Sequence, residues 1–192
     1  MTQDRTRSNL DGPFFRDWGE AVKATKGWGD GDNWFLNYVG HPMQGTMSGY
    51  IQIQNDPIGR TAEFGSSREY WISRMKATGW ATAYSVQFEI GPISESSIGN
   101  VGMRKGTSGY VDHVITPVGG FGLMVAEDAL DRYVIRKLEA RTLNVHWRGF
   151  FRIALNPSRA FVNMMRGKGP WYRDTRPISP PPLLTIPLGS GN

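Results

Sequence analysis

Ser66-Ser67-Arg68-Glu69-Tyr70-Trp71-Ile72-Ser73-Arg74-Met75-Lys76-Ala77-Thr78-Gly79-Trp80-Ala81-Thr82-Ala83-Tyr84-Ser85-Val86-Gln87-Phe88-Glu89-Ile90-Gly91 is the stretch on which the fold turns. A serine at position 66 or 67 with Glu69 in the first turn is a helix start, because a hydroxyl accepts the free amide hydrogens there and a carboxylate suits the positive end of the helix dipole. Gly91-Pro92 stops it, so a helix is expected over about Ser67–Glu89. Ala77, Ala81, Ser85 and Glu89 form one stripe along it, and Gly79, Ala83 and Gln87 form the neighbouring one. Small residues at such spacing let helix backbones approach closely, in a soluble bundle as in a membrane.

Outward on the amino-terminal side, Gly27-Trp28-Gly29-Asp30-Gly31-Asp32 is a turn signal. Asp32 is the expected N-cap of a first helix over Asn33–Asn55, with a kink or restart after His41 because Pro42 lies inside. Asn55-Asp56-Pro57-Ile58-Gly59 ends that helix. Gly45 and Gly49 stand four apart on it, with His41 one turn earlier. The alternating aspartates resemble a calcium loop, but Trp34 occupies the third ligand position and no glutamate closes twelve residues, so no metal is expected.

On the carboxyl-terminal side, residues 93–111 read as a long Ser/Gly loop and Asp112–Pro117 as a short β-branched segment before Gly119-Gly120. A third helix is expected over Phe121–Ala140, with Asp128, Arg132 and Arg136 pairing on a wet face at fourfold spacing. The fourth segment, Leu143–Arg166, breaks at Asn156-Pro157, a fresh N-cap and first helical position, and Gly167 closes it. Prolines 177 and 180–182 mark an extended tail. Strand signals are weak and no repeat is evident. The expectation is a mainly α protein: a compact bundle of about four to five short helices over 32–167, a polar glycine-rich segment 1–31 before it and a proline-rich tail 168–192 after it.

The composition is that of a globular chain: 192 residues, 39% hydrophobic, 20% charged, mean hydropathy −0.41. Zero cysteines exclude disulfides and thiolate sites. No secretory signal is visible at the start, and no run approaches the length of an apolar spanning helix. Net charge is +5, unevenly placed: residues 132–176 hold eleven Lys/Arg against Glu139 and Asp174, and the remainder is mildly acidic.

If Ala81 and Ser85 face a neighbouring helix, Glu89 does too, and a buried carboxylate needs a cation, donors or a proton. His41, on the glycine face of the first helix, and Asp112 are the candidates to meet it. Such a cluster suits general acid–base work or a metal, and equally a structural hydrogen-bond network. Asn37, Ser85, Thr116 and Glu127 are the polar groups expected to support it, while His113 and His146 read as surface residues. No cofactor is expected, and no nucleophile-elbow, zincin, phosphate-loop or dinucleotide motif is present.

Arg148, Arg152, Arg159 and Arg166 fall along one side of the fourth segment, with Trp147, Phe150, Phe151, Phe161, Met164 and Met165 between them. Arginines interleaved with aromatics suit a helix on an anionic lipid surface or an envelope protein partner. A core-packed helix with a wet basic edge accounts for the same pattern. Single-stranded nucleic acid is a third reading, with no motif to support it.

The ordered set Asn37…His41-Pro42…Gly45…Tyr50, Ser85…Glu89 with Gly91, and Asp112…Thr116-Pro117-Val118-Gly119-Gly120…Glu127 resembles an uncharacterised bacterial envelope family, domain of unknown function 3943. Its pattern runs N…HP..G…Y, S..WE..GE, D…TP.GG…E over about residues 32–130. Phe88 stands where the family has tryptophan, and Pro92 where it has a second glutamate, with Glu95 the nearest acid. A fainter likeness is to VanZ-like proteins and small envelope lipoproteins. The resemblance implies a cell-envelope location and membrane-associated short helices, and no reaction. The first expectation is therefore an envelope bundle peripheral to or partly embedded in a membrane, with its basic end toward lipid or a partner. The alternative is an enzyme acting on an envelope lipid or glycan through His41, Glu89 and Asp112.

Overall fold

The computed structural model describes residues 12–99 and 106–178, and among these the chain is mainly helical, without a strand. Residues 179–192, with the Pro180–Pro182 run, and part of the Ser/Gly loop lie outside the described residues. Helix α1 covers Phe14–Lys23. A wide π-type turn, Leu36–Gly40, leads into α2, His41–Asn55, with Pro42 in its first turn. The backbone stays helical from Phe35 through His41, so the kink or restart expected at Pro42 takes the form of this widened turn just before it and not of a break. Asn33, not Asp32, caps the preceding turn: its side chain accepts from Leu36 N at 2.9 Å.

Helix α3, Arg68–Ile90, starts as expected, the Ser67 hydroxyl accepting from Tyr70 N at 3.2 Å. Helix α4 runs Val111–Leu130 with Pro117 inside it, so the segment expected as a β-branched approach is helical. Packing against α2 overrides its poor helix propensity. A second wide turn, Asp131–Ile135, joins it to α5, Arg136–Ala140. Helix α6, Val145–Ala154, is capped by Asn144, and α7, Pro157–Met165, follows the break at Asn156. Asn156 does not cap α7 through its side chain. The Glu127 carboxylate does, accepting from Ser158 N at 3.1 Å and Arg159 N at 3.4 Å, where an anion meets the dipole's positive end.

The glycines explain how α2 and α4 cross. A Cβ on Gly45 would lie 1.9 Å from the Thr116 carbonyl oxygen, and one on Gly120 would lie 2.7 Å from the Gly45 carbonyl carbon. The two backbones are in van der Waals contact, with no side chain between them. Thr46 locks the crossing by donating to Gly120 O at 3.0 Å. Tyr50, Ile53, Ala77, Met124 and Val162 form the apolar core where α2, α3, α4 and α7 meet.

That apolar core is small beside the polar interior. Among the described residues twenty-two polar or charged side chains are buried against eleven apolar ones. Arg74, 1% exposed, donates to Asp128 at 2.8 Å and to the carbonyls of Gly59 and Ala62. The hydroxyls of Tyr50 and Tyr70 also donate to Asp128, at 3.2 and 3.1 Å. Asp131 pairs with Arg173 and Arg176, and Glu139 with Arg152 and Arg176. Asp128, Arg132 and Arg136 therefore do not pair along a wet face. Asp128 points inward to Arg74, Arg132 donates to Phe64 O, and Arg136 reaches Glu63. Among the described residues no helix is long and apolar enough to cross a membrane.

Candidate functional site

The α2–α4 crossing brings two helix beginnings together. His41 opens α2, and Asp112 lies in the first turn of α4. Glu89 arrives from the last turn of α3, where the small-residue stripe ends. Nε2 of His41 is 3.1 Å from Asp112 Oδ1, and one donor atom each of His41, Glu89 and Asp112 lie within 4.8 Å of one another. The three candidates therefore converge. Ser85 holds this corner from behind, donating to the Asp112 carbonyl at 3.2 Å.

A loop completes the cluster. Tyr110 N donates to Gly27 O at 3.1 Å and Val111 N to Trp28 O at 3.0 Å, which straps residues 27–32 across the start of α4. Gly31 has φ +93°, a left-handed conformation that side chains disfavour, and it lets Asp30 and Asp32 flank one turn. A donor atom each of Asp30, Asp32 and His41 also lie within 4.8 Å of one another. Asn37, buried in the turn before α2, donates to Asp30 at 3.0 Å, and so does the Asp32 amide. Asp30, Asp32, Glu89, Glu95 and Asp112, with Ser108 and Gly109, line an open cavity of about 220 Å³.

The electrostatics follow from burial and crowding. Burial, a hydrogen bond with Asp30 and repulsion from Asp30, Glu89 and Asp32 push Asp112 up to about 9. Burial, with Glu95, Asp30 and Asp32 nearby, pushes Glu89 up to about 8. Burial, joined by neighbouring aspartates, also raises Asp32 and Glu95. Asp30 goes the other way: burial works to raise it, but hydrogen bonds from Asp112, Asn37 and the Asp32 amide outweigh that and hold it low. Two touching carboxyls are thus driven apart, one proton-holding and one ionised, a division of labour that acid–base sites use.

Not everything in the cluster is satisfied. His41 is 7% exposed and Asp112 5%, yet neither ring nitrogen of His41 nor Oδ1 of Asp112 makes a hydrogen bond. The 3.1 Å approach between them is off the line a hydrogen bond needs. Buried polar atoms left without partners are rare, and each costs about 1–3 kcal/mol.

The remaining candidates lie elsewhere. Thr116 is buried at the α2–α4 crossing, its carbonyl against Gly45, and Glu127 caps α7. Of the four arginines, Arg152 is 2% exposed, pairing with Glu139 and donating to Trp171 O and Arg176 O. Arg159 lies 3.6 Å from Asp128 with its guanidinium over the Tyr50 ring. Arg148 donates to Thr142 O at 2.8 Å, and Arg166 is 3.9 Å from Asp174. They do not form one wet basic stripe, because carboxylates on α4 and α5 draw two of them inward. Asp30, Asp32 (expected only as a helix cap) and Glu95 are the site residues that sequence reading missed. The Asp30-Gly31-Asp32 alternation was the available signal for the first.

No family model, no curated protein and no solved structure matches this chain.

Proposed function

We propose that the protein is an enzyme of the cell envelope that acts on the polar part of a lipid or glycan, with His41, Glu89 and Asp112 as its working groups. The observation that carries this reading is the convergence itself. Three residues from three helices meet beside an open cavity, two of them buried with atoms that no protein group satisfies. A structural network would be expected to satisfy its own members. In this reading a free imidazole nitrogen of His41 accepts a proton from the attacking water or hydroxyl, and Glu89, on the more open side, gives one to the leaving group. Asp30, the carboxyl held ionised, lies near enough to balance the imidazolium that forms. Exposed Trp34, Phe35, Ile93 and Tyr110 are near neighbours in sequence of the cavity-lining residues, and they suit a ligand with an apolar or sugar face. The envelope location is carried over from the short sequence motifs alone, with no family model behind it.

The test is turnover of chromogenic esters, phosphoesters and glycosides and of an extracted envelope lipid fraction. Activity that falls about a hundredfold or more in His41→Gln and Glu89→Gln, with melting temperature kept, is expected. Activity indifferent to both substitutions refutes the assignment.

A second reading, association with an anionic lipid surface, is supported by the α6–α7 face. Leu143, Trp147, Phe150, Phe161, Met164 and Met165 are all exposed there, with Lys137, Arg141 and Lys168 exposed in the same region. Rings at the acyl boundary with cations on phosphates is the interfacial pattern. Sedimentation with anionic vesicles should weaken in Trp147→Ser/Phe150→Ser and with salt. The arginines to reverse are not Arg152 and Arg159, whose ion pairs are internal. Binding unaffected by that double substitution argues against this face.

A further inference from the structure

We infer that the acidic cavity is a binding site for one divalent first-row transition-metal cation, such as Mn²⁺, Fe²⁺ or Zn²⁺, with His41 as the nitrogen ligand and carboxylates of Asp112, Glu89 and the Asp30-Gly31-Asp32 loop as oxygen ligands. This goes beyond the enzyme reading and rests on it only for the location of the working site: with an ion bound, His41 ligates through one nitrogen and keeps the other, and Glu89 is a ligand and no longer the proton donor. Three independent observations converge on it.

The first is geometry. His41 belongs to two triads, with Glu89 and Asp112 and with Asp30 and Asp32, and in each the donor atoms lie within 4.8 Å of one another. Metal–ligand bonds of about 2.0–2.2 Å put neighbouring donors about 3–4 Å apart, so small side-chain rotations close either set around an ion.

The second is the unsatisfied histidine. Its side chain is more than nine-tenths buried and sits among the carboxylates, with neither nitrogen hydrogen-bonded. Asp112 Oδ1, equally buried, is also unpartnered and 3.1 Å away. A cation between them would satisfy both atoms with one bond each. Asn37 and Ser85, which hold Asp30 and the Asp112 backbone, are then the outer partners that orient ligands, a role such sites ordinarily need.

The third is charge. Five carboxyl groups line the cavity, and no described lysine or arginine does. Elsewhere in the interior each buried acid has its guanidinium or a helix start: Asp128 with Arg74, Asp131 with Arg173, Glu139 with Arg152, Glu127 at α7. Among the described residues Asp112 is the buried acid without a guanidinium or a second helix's start, its cavity neighbours bring four more carboxyls, and a divalent ion supplies the missing positive charge. One imidazole with carboxylates, and no thiolate in the chain, selects divalent first-row metals over copper(I). A histidine ligand disfavours calcium and magnesium. A cavity of about 220 Å³ leaves room for water or a substrate oxygen on the ion.

The test is calorimetric titration of the chelator-stripped full chain with Mn²⁺ and Zn²⁺, with Mg²⁺ and Ca²⁺ as comparisons, and Co²⁺ absorption as a probe of nitrogen–oxygen coordination. One ion per chain, a melting temperature raised by saturating Mn²⁺ or Zn²⁺, and at least a tenfold loss of affinity in Asp112→Asn and in Glu89→Gln are expected. Glu89 is half-exposed, so its substitution keeps the test open if Asp112→Asn misfolds. No one-to-one binding up to about 1 mM, or binding unchanged in Glu89→Gln, overturns the site. Turnover by the stripped chain without binding would fail the metal and keep the enzyme. Binding without turnover would do the reverse.

Discussion

Replacing Gly45 with alanine tests the helix crossing on which the candidate site stands. The new Cβ would meet the Thr116 carbonyl oxygen at 1.9 Å and its carbon at 2.8 Å. Ordinary van der Waals contact starts at 3.4 Å, so α2 and α4 must part by about 1.5 Å there. The obstructing atoms are backbone in mid-helix, and no rotamer change relieves them. Overpacking of this kind costs about 1–3 kcal/mol or more, against about 1 kcal/mol returned by alanine's better helix propensity. A backbone-on-backbone overlap this deep falls at the top of that range, a net loss of about 2 kcal/mol, and at about 2–4 °C per kcal/mol for a chain of this size the melting temperature should fall by roughly 4–8 °C. Gly79→Ala is the matched control. Gly79 is exposed on α3 with nothing within 4 Å of its Cβ position, so that variant should melt slightly higher than the native chain. His41 and Asp112 each lie one turn before the contact, so the 3.1 Å approach between them should lengthen as well. Two thermal melts and a histidine side-chain NMR spectrum decide the matter. If Gly45→Ala melts no lower than the native chain, or moves with Gly79→Ala, the close crossing is wrong.

Two further outcomes follow from the buried charges. Arg74→Ala leaves Asp128 buried with only the two tyrosine hydroxyls and the more distant Arg159, and a chemical denaturation curve should show a loss of about 3–5 kcal/mol. Asp112, at about 9 in the fold against an ordinary 3.8, and Glu89, at about 8 against 4.5, bind protons in the folded state that the unfolded chain has released. Stability of the metal-stripped chain is therefore highest below about pH 4 on their account and declines as pH rises through 8–9. Melting temperature against pH should be flatter in Asp112→Asn, and an unchanged slope would rule Asp112 out as its source.

What could be read in the sequence was local or periodic. The Ser67 cap, the stop at Gly91 and the disturbance at Pro42 depend on neighbours a few residues away. The period of α3 alone turns Glu89 inward, and the structure places it beside His41 and Asp112. Asp30 joins that cluster through a loop strapped by backbone hydrogen bonds between residues 27–28 and 110–111, which no periodicity encodes. The basic end misled for a similar reason. Spacing along α6 and α7 puts arginines on a side, but which side is wet depends on Glu139 and Asp128, thirteen and thirty-one residues away. Glu127 matched the sequence pattern of the site and serves another purpose, because its position on α4 meets the start of α7 at the far end of the helix from Asp112.

The ion-paired interior also shapes how this protein should respond to temperature. Unfolding exposes apolar surface, which raises heat capacity by about 0.45 cal/K/mol per Å², and polar surface, which lowers it by about 0.26. Among the described residues the buried polar side chains outnumber the apolar ones two to one, so unfolding exposes more of the second kind of surface than usual. Its heat-capacity increment on unfolding should fall below the usual range of about 12–15 cal/mol/K per residue. Its stability curve is correspondingly shallow, so whatever margin the fold possesses changes little between cold and warm growth conditions.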